Sequence, residues 1–266
     1  MPSSKPLSPF AERLNALVDK WSARLPWEWH QQFVDDFLPL GKEHEETLEI
    51  IETIWRREQR AYAFDESTGL ARRRPFQVHL TRLLSGADLP TTTAVAVLFI
   101  DLNNLKRIND TCGHAAGDQA LSAVGRILRE ALRVDRQTDV VMKAEAMDDY
   151  SIARHGGDEF LVALELSDAA DIEAIAPRLK RRIEDPEHQR ARGYHAPIRL
   201  TTAIGGVVYE LPYSRPTMAA TALAKELVRL ADEQMYESKD DGLIHVAAVQ
   251  FTDRLEVAPE RARVLL

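Results

Sequence analysis

The 266-residue sequence has a single cysteine, no excess of basic residues and no long apolar run. One cysteine, Cys112, excludes an intrachain disulfide and favours a reducing compartment. The 42 acidic residues outnumber the 34 basic ones, which argues against a protein that coats nucleic acid. No stretch approaches the roughly 20 consecutive apolar residues of a membrane span, and residues 1–9 lack the pattern of a secretory signal. We therefore predict a cytoplasmic protein that binds neither nucleic acid nor a membrane.

The first 64 residues carry only helical periodicity. Apolar residues recur at helical spacing over Ser8–Leu25, a second short helix is predicted over Trp27–Leu38, and a third runs from about His44 to Tyr62. The third helix either packs within its own subunit or forms a dimerising stalk, and its pattern is too short to establish a coiled coil. We predict an all-helical regulatory or dimerisation segment over residues 1–64, and no motif in it identifies an input signal.

Beyond residue 64 the pattern changes to alternating helices and strands. This alternation predicts an α/β domain over residues 65–250, followed by a tail over residues 251–266. The apolar run Ala94–Ile100 is typical of a buried strand. The other predicted elements are helices over Phe76–Leu84, Asp118–Leu132, Ala169–Ile183 and Met218–Lys239, and strands over Ile152–Arg154, Phe160–Leu166, Ile198–Tyr209 and Ile244–Val249.

Carboxylates occur at two places where the predicted sheet could present them to a ligand. Asp101 directly follows the strand Ala94–Ile100, at the carboxyl end where open α/β sheets usually bind ligands. The run Gly156–Glu159 places two glycines before two carboxylates, and glycine permits the close approach of a phosphate. If the two strands are neighbours, Asp101 and Asp158 can converge on Mg²⁺, which prefers one or two carboxylates plus substrate phosphates. Taken alone, the two-glycine turn would be an ordinary polar hairpin.

Four segments, in order along the chain, resemble the motifs of one family. They are Asp65–Phe76, which we call the opening motif, Phe99–Leu121, the turn Gly156–Phe160 with the sequence Gly-Gly-Asp-Glu-Phe, and the closing helix Ala231–Lys239. By these segments the chain resembles the GGDEF family of diguanylate cyclases over about residues 65–249. The resemblance implies a fold similar to nucleotidyl cyclases and polymerase palms, with a central, mostly antiparallel sheet flanked by helices.

The resemblance also implies an activity. Family members condense two GTP molecules into cyclic di-GMP and release two pyrophosphates, and they work as a homodimer of GTP-loaded domains with Mg²⁺ or Mn²⁺. It implies that Asp101, the carbonyl of Leu102 and Asp158 bind the metal. The same resemblance makes Asp158 and Glu159 the catalytic residues, with Asp158 helping to deprotonate the attacking 3′-hydroxyl.

Asn109 and Asp118 match the family positions that bind guanine. An amide can both donate and accept, and a carboxylate accepts from the N1–H and the exocyclic amine of guanine, a donor pair that adenine lacks. The alternatives are that Asn109 caps a turn and that Asp118 caps a helix beginning after Gly117. The other substrate-binding residues that the resemblance implies are Lys106, Gly156, Gly157 and Lys239.

Departures from the family pattern support a second interpretation. Leu243 stands where an arginine commonly holds phosphate, and the insertion Val140–Ser151 lengthens the connection before the two-glycine turn. Arg136 and Asp139 match a site at which cyclic di-GMP inhibits family members, or else form a surface ion pair of little consequence. The alternative to an active cyclase is therefore a catalytically degenerate domain that signals by binding GTP or cyclic di-GMP.

Overall fold

The computed structural model describes residues 62–85, 93–135, 150–211, 219–251 and 255–265. The chain separates into two units, Met1–Tyr62 and Ala63–Leu266, and the named elements belong to the second. In chain order they are β1 (Ala71–Arg72), α1 (Arg73–Leu84), β2 (Ala94–Asn103), α2 (Leu105–Cys112), α3 (His114–Asp135), β3 (Ile152–Gly156), β4 (Glu159–Leu166), a 3₁₀ turn (Ala169–Asp171), α4 (Ile172–Glu184), α5 (Pro186–Ala191), β5 (Thr201–Glu210), α6 (Ala220–Asp241), β6 (Ile244–Phe251) and β7 (Leu255–Leu265).

The strands form one seven-stranded sheet in the order β1-β3-β4-β2-β5-β6-β7. Strand β2 lies in the middle and runs antiparallel to both β4 and β5. The β3–β4 and β6–β7 pairs are also antiparallel, whereas β1–β3 and β5–β6 are parallel. The predicted mostly antiparallel sheet flanked by helices is therefore confirmed.

Helices cover both faces of the sheet, which explains the continuous apolar sequence of β2. Leu98 and Ile100 belong to a core shared with α3 and α4. Val97 and Phe99 belong to a second core shared with α1 and α6. Because successive side chains of a strand point to opposite faces, Asp101 lies on the side of α1 and α6.

Helix α6 lies unusually close to β5 at Gly205. A Cβ at this position would overlap backbone atoms of Gln234 and Met235, so only glycine permits the approach. Near the end of the helix, the Ser238 hydroxyl accepts a hydrogen bond from the Ile204 N–H (N···Oγ 3.1 Å) and donates one to the carbonyl of Leu243. The helix is thus attached to the sheet at two points, and its last turns reach the end of β2.

Several elements differ from the sequence predictions. The strand predicted over Ala94–Ile100 continues to Asn103, and the strand predicted from Ile198 begins at Thr201. Helix α2 and strand β7 were not predicted, and β7 pairs with β6 within the residues that we set apart as a tail. The three predicted N-terminal helices fall in residues 8–62, of which only Tyr62 is described. None of the helices in the described ranges is both long and apolar enough to cross a membrane.

Candidate active site

The β2–β4 ladder brings Asp101 next to the two-glycine turn. Asp101 and Glu159 are directly paired across the two strands. The Leu102 N–H donates to the Asp158 carbonyl (N···O 3.0 Å), which extends the pairing into the turn. The structure therefore places the predicted metal-binding and catalytic residues side by side at one end of the central strand.

Asp101 is buried, with 7% of its surface exposed, and has one close cationic partner. The Nζ atom of Lys239, on α6, lies 2.9 Å from its Oδ2 atom. Burial raises the pKa of the Asp101 carboxyl; the ammonium group of Lys239 opposes this rise, and the negative charges of Asp158 and Asp232 add to it. One lysine thus does not compensate for burial and two neighbouring carboxylates.

Glu159 shows the same shortage of positive charge. Partial burial raises its pKa, and the carboxylates of Asp232, Asp101 and Asp158 raise it further. Asp232 belongs to α6, two turns before Lys239, and was assigned no role in the sequence analysis. It lies in the closing-helix motif Ala231–Lys239, but the motif alone does not show that its charge acts on Asp101 and Glu159, which follows only from the packing of α6.

A β-bulge shapes the strand that leads into the turn. The register shifts between Arg154 and Gly156, which leaves His155 as the extra residue. The His155 ring contacts the Phe99 ring (centroids 5.2 Å apart), and its Nδ1 atom is buried without a hydrogen-bond partner. Burial lowers the pKa of His155, and the charge of Arg73 lowers it further, which favours the neutral imidazole.

Arg154 connects the turn to the opening motif. Its Nε and Nη2 atoms donate to the Gly157 carbonyl (3.0 and 2.7 Å), and Nη1 donates to the Asp65 carboxylate (3.2 and 3.3 Å) and to Ser67 Oγ (2.7 Å). Partial burial opposes ionisation of Asp65, but hydrogen bonds from Ser67 and Thr68 and the Arg154 charge lower its pKa. A single guanidinium therefore fixes the position of the turn.

The two glycines of the turn are suited to their positions for different structural reasons. Gly157 has a positive φ of 47°, a conformation that most side chains avoid. Gly156 has no such requirement, and a Cβ added to it would meet no atom of the described chain within 4 Å. The space beside Gly156 is thus open and adjoins the carboxylates, as required for a bound ligand.

The predicted guanine-binding residues lie on two consecutive helices. Asn109 is in α2 and Asp118 is in α3, one turn after its start at His114. A Cβ at Gly117 would overlap the side-chain amide of Asn109, so this glycine lets the amide lie against α3 beside Asp118. Both alternative capping roles are wrong, because each residue lies inside its helix.

The segment between β2 and α2 is suited to a phosphate. Asn104 has a left-handed conformation (φ 67°) and precedes the first turn of α2, which contains Lys106. The first N–H groups of a helix have no partners within it and favour anions. Lys106 is exposed there.

The fit of these residues to a divalent cation can be judged from the donor set. Among the described residues, no three His, Cys, Asp or Glu side chains surround a common point, as they would in a complete all-protein metal site. Mg²⁺ does not require one, because it is usually held by one or two carboxylates plus substrate phosphates and water. Under-compensated carboxylates beside open space at Gly156 fit such a shared site.

Two sequence predictions concern the departure at Leu243 and the inhibition site at Arg136 and Asp139. Leu243, in the position of the usual arginine, uses its N–H to donate to Asp241 Oδ1 (2.8 Å) and places no charge near the site. Arg136 and Asp139, together with most of the insertion, lie outside the described residues.

A mostly antiparallel sheet that presents acidic residues at the end of its central strand and at an adjoining two-glycine turn defines a nucleotidyl-cyclase-like domain. The sequence model of "Diguanylate cyclase, GGDEF domain" matches residues 62–243, which is more than half of the chain. The chain therefore belongs to the GGDEF family.

Curated relatives carry the same domain in longer chains. The chain is 32% identical over 155 residues to the "Probable diguanylate cyclase DgcT" of Escherichia coli strain K12, a match that covers 56% of this chain and 28% of that protein. It is 32% identical over 165 residues to "Diguanylate cyclase A" of Treponema denticola, covering 62% of this chain and 37% of the relative. The chain thus spans about a third of the length of these proteins.

Solved structures support the fold. The coiled coil and GGDEF domain of DgcB from Caulobacter crescentus, in complex with c-di-GMP, aligns with a TM-score of 0.54 at 19% identity and covers 82% of this chain and 99% of that one. Diguanylate cyclase SiaD of Pseudomonas aeruginosa, in complex with its activator SiaC, aligns with a TM-score of 0.51 at 17% identity and covers 87% of this chain and 78% of that one. At these identities the similarity establishes the architecture alone.

Proposed function

We propose that this protein is a diguanylate cyclase that condenses two GTP molecules into cyclic di-GMP and two pyrophosphates. The observation that carries the proposal is the pair Asp101 and Glu159, whose pKa values are raised because burial and like charges outweigh the charge of Lys239. Such a cluster favours added positive charge, which the divalent cation bound to a nucleoside triphosphate supplies. Relatives named as diguanylate cyclases support this assignment of substrate and product.

The metal-binding residues would be Asp101, the carbonyl of Leu102 and Asp158. When bound there, Mg²⁺ or Mn²⁺ would neutralise triphosphate charge and lower the pKa of the attacking 3′-hydroxyl. Lys239 and Lys106 would contact phosphate oxygens and hold the triphosphate for an in-line displacement.

In each half of the reaction, the 3′-oxygen of one GTP forms a bond to the α-phosphorus of the other. The bond from that phosphorus to the pyrophosphate oxygen breaks, and the hydroxyl proton is transferred to a carboxylate oxygen of Asp158 or Glu159. Burial and neighbouring carboxylates raise the pKa of Glu159, which makes its carboxylate a stronger base than an ordinary glutamate. Two such displacements close the ring, and two domains must face each other because each holds one GTP.

Base selection would depend on Asn109 and Asp118. The Asp118 carboxylate would accept from the N1–H and the amino group of guanine, while the Asn109 amide donates and accepts. The absence of a side chain at Gly117 leaves room for the Asn109 amide next to the turn of α3 that carries Asp118. ATP lacks the matching donors and would bind more weakly.

A second candidate function is a domain that binds GTP or cyclic di-GMP without turnover. The observation in its favour is Leu243, because its apolar side chain leaves Lys239 as the only cationic side chain in contact with the carboxylates among the described residues. Inhibition by cyclic di-GMP at Arg136 and Asp139 stays a prediction, and so does the homodimer.

Turnover separates the two functions. We would incubate the full-length protein with GTP and Mg²⁺ and identify the products by chromatography and mass. The native protein should form cyclic di-GMP, and an Asp158→Ala, Glu159→Ala variant should not. A matched control, Glu173→Ala with Glu187→Ala, removes two carboxylates from the α4–α5 layer on the opposite side of the sheet and should retain activity. Absence of product from the native protein, with GTP still bound, would favour the binding domain.

A further inference from the structure

The last two turns of α6 end in an unfavourable electrostatic environment. They carry three carboxylates, Glu237, Asp240 and Asp241, and one basic residue, Lys239. The carboxyl end of a helix has a partial negative charge, so acidic residues there weaken its final turn. The contact between Lys239 and Asp101 therefore depends on the residues that fix this end of the helix in place.

His245, in β6, binds two of these carboxylates. Because an ionised carboxylate only accepts hydrogen bonds, the His245 Nε2 atom is the donor to Asp241 Oδ2 (2.8 Å). The Nδ1 atom lies 3.5 Å from Glu237 Oε2, and only 16% of the His245 side chain is exposed. The other carboxylate oxygen of Asp241 accepts from the Leu243 N–H (2.8 Å). His245 thus joins the end of α6 to the sheet through two side chains that are one helical turn apart.

The two carboxylates and Lys239 lie on different sides of α6. Successive residues of an α-helix are rotated by about 100°, so Glu237 and Asp241 share one side and Lys239 projects from nearly the opposite one. The helix packs over β2, β5 and β6, with β5 in the middle. His245 therefore holds α6 from the β6 side, while Lys239 extends over the β2 side to Asp101 (2.9 Å).

We propose that His245 is a positioning residue, which holds the last turn of α6 so that Lys239 reaches the carboxylates of the site and, when GTP is bound, a phosphate oxygen. This inference rests on the proposed function and adds a residue that lies outside the four family motifs. Ser238 also attaches the helix to the sheet, but it precedes Lys239. Through Glu237 and Asp241, His245 contacts residues on both sides of Lys239 in the chain.

Amide hydrogen exchange of the nucleotide-free protein tests the attachment itself. In His245→Ala, peptides that cover residues 236–242 should exchange about fivefold faster, as expected for the loss of one hydrogen bond, and the first turns of α6 should be unaffected. His188→Ala is the matched control, because it removes a similar contact from α5 (Nδ1 to Asp185 Oδ2, 2.9 Å). It should leave exchange in α6 unchanged. Native exchange rates over residues 236–242 in His245→Ala would overturn the inference.

Nucleotide affinity tests the effect on Lys239. The full-length protein would be titrated in a calorimeter with Mg²⁺ and 3′-deoxy-GTP, which cannot be cyclised. Lys239→Ala should weaken binding about tenfold, the value of one charged hydrogen bond, and His245→Ala about threefold, a part of the same bond. His245→Gln should lose less, because its amide can still donate to Asp241. In the Lys239→Ala background, His245→Ala should cause no further loss.

The double variant separates a positioning role from a general structural one. Equal losses from His245→Ala in both backgrounds would show that the residue supports the fold and not Lys239, and the inference would fail. If Lys239→Ala weakens binding while both His245 variants bind like His188→Ala, this inference alone fails. If the native protein binds no nucleotide, or if Lys239→Ala binds as tightly as the native protein, the proposed nucleotide site fails together with it.

Discussion

Asp65 is partly buried and Asp101 is buried, and each binds one basic side chain, yet their pKa values move in opposite directions. Asp65 accepts hydrogen bonds from Ser67, Thr68 and Arg154, and its pKa is lowered. Asp101 has Lys239 and two carboxylate neighbours, and its pKa is raised. The first carboxylate is saturated by donors of its own chain, whereas the second is left short of positive charge.

This difference separates structural from functional carboxylates within one domain. A saturated carboxylate stabilises the ionised, folded protein without any ligand. A carboxylate with too little positive charge around it slightly destabilises the ligand-free protein. A cation that binds to it stabilises the folded protein. The comparison predicts how each site responds to substitution, with the largest effect first.

Asp101→Asn should lower cyclic di-GMP formation by about 10³-fold, as expected when a group that positions transition-state charge is removed. In cation-free buffer its Tm should not fall, because the neutral amide can still accept from Lys239 and no longer repels Asp158. Steady-state rates and thermal unfolding of the same preparations check both statements. A lower cation-free Tm would mean that Asp101 is structural after all, and the contrast with Asp65 would disappear.

Asp65→Asn should lower Tm by about 3–6 °C, because loss of charged hydrogen bonds costs about 1.5 kcal/mol in a domain of this size. The pKa of Asp65 is lowered in the folded state, so its stabilisation is present above its unfolded pKa and is lost as pH falls through the folded value. The Tm difference between variant and native protein should thus be full at pH 7 and vanish on acidification. A difference that persists at low pH would assign the effect to packing instead of charge.

Glu159→Gln should raise Tm at pH 7–8 in cation-free buffer by about 1–2 °C, a small effect because solvent screens a partly exposed group. The pKa of Glu159 is raised in the folded state, so the stability it contributes below its unfolded pKa is lost as pH rises through the folded value. The gain should therefore grow with pH, opposite to the trend for Asp65. Added Mg²⁺ with 3′-deoxy-GTP should reverse the order of stability, and no reversal would count against a cation at this site.

Much of the fold could be predicted because its signals are local. The run Ala94–Ile100 has no polar residue, which is sufficient for a buried central strand, and the apolar spacing in α3 is sufficient for a helix. Helix α2 was missed because its eight residues include Asn, Asp and Thr, which have low helix propensity. Strand β7 was missed because it contains a proline and several charged residues, and its pairing depends on β6.

Residues of the candidate site were also predictable where the signal is local and were missed where it depends on packing. Asp101, Asp158 and Glu159 were predicted because they lie in short motifs that match those of the GGDEF family in the same order along the chain. Asp232 was given no role although the closing-helix motif contains it, since its effect on Asp101 and Glu159 depends on how α6 packs. The role of Gly117 was missed for a related reason, because a glycine that makes room for Asn109 shows its purpose only when two helices meet.

Gly205 determines more than a close helix–sheet contact. The cationic Lys239 and the anionic Asp232 both belong to α6, the helix that packs against Gly205, so the position of both side chains depends on this contact. Any larger residue at position 205 would push α6 away from the sheet and move both charges together. Every charged residue of the protein would remain unchanged. Substitution of this neutral residue, which lies away from the reacting atoms, by one that is larger by a single methyl group could therefore abolish the function of the whole site.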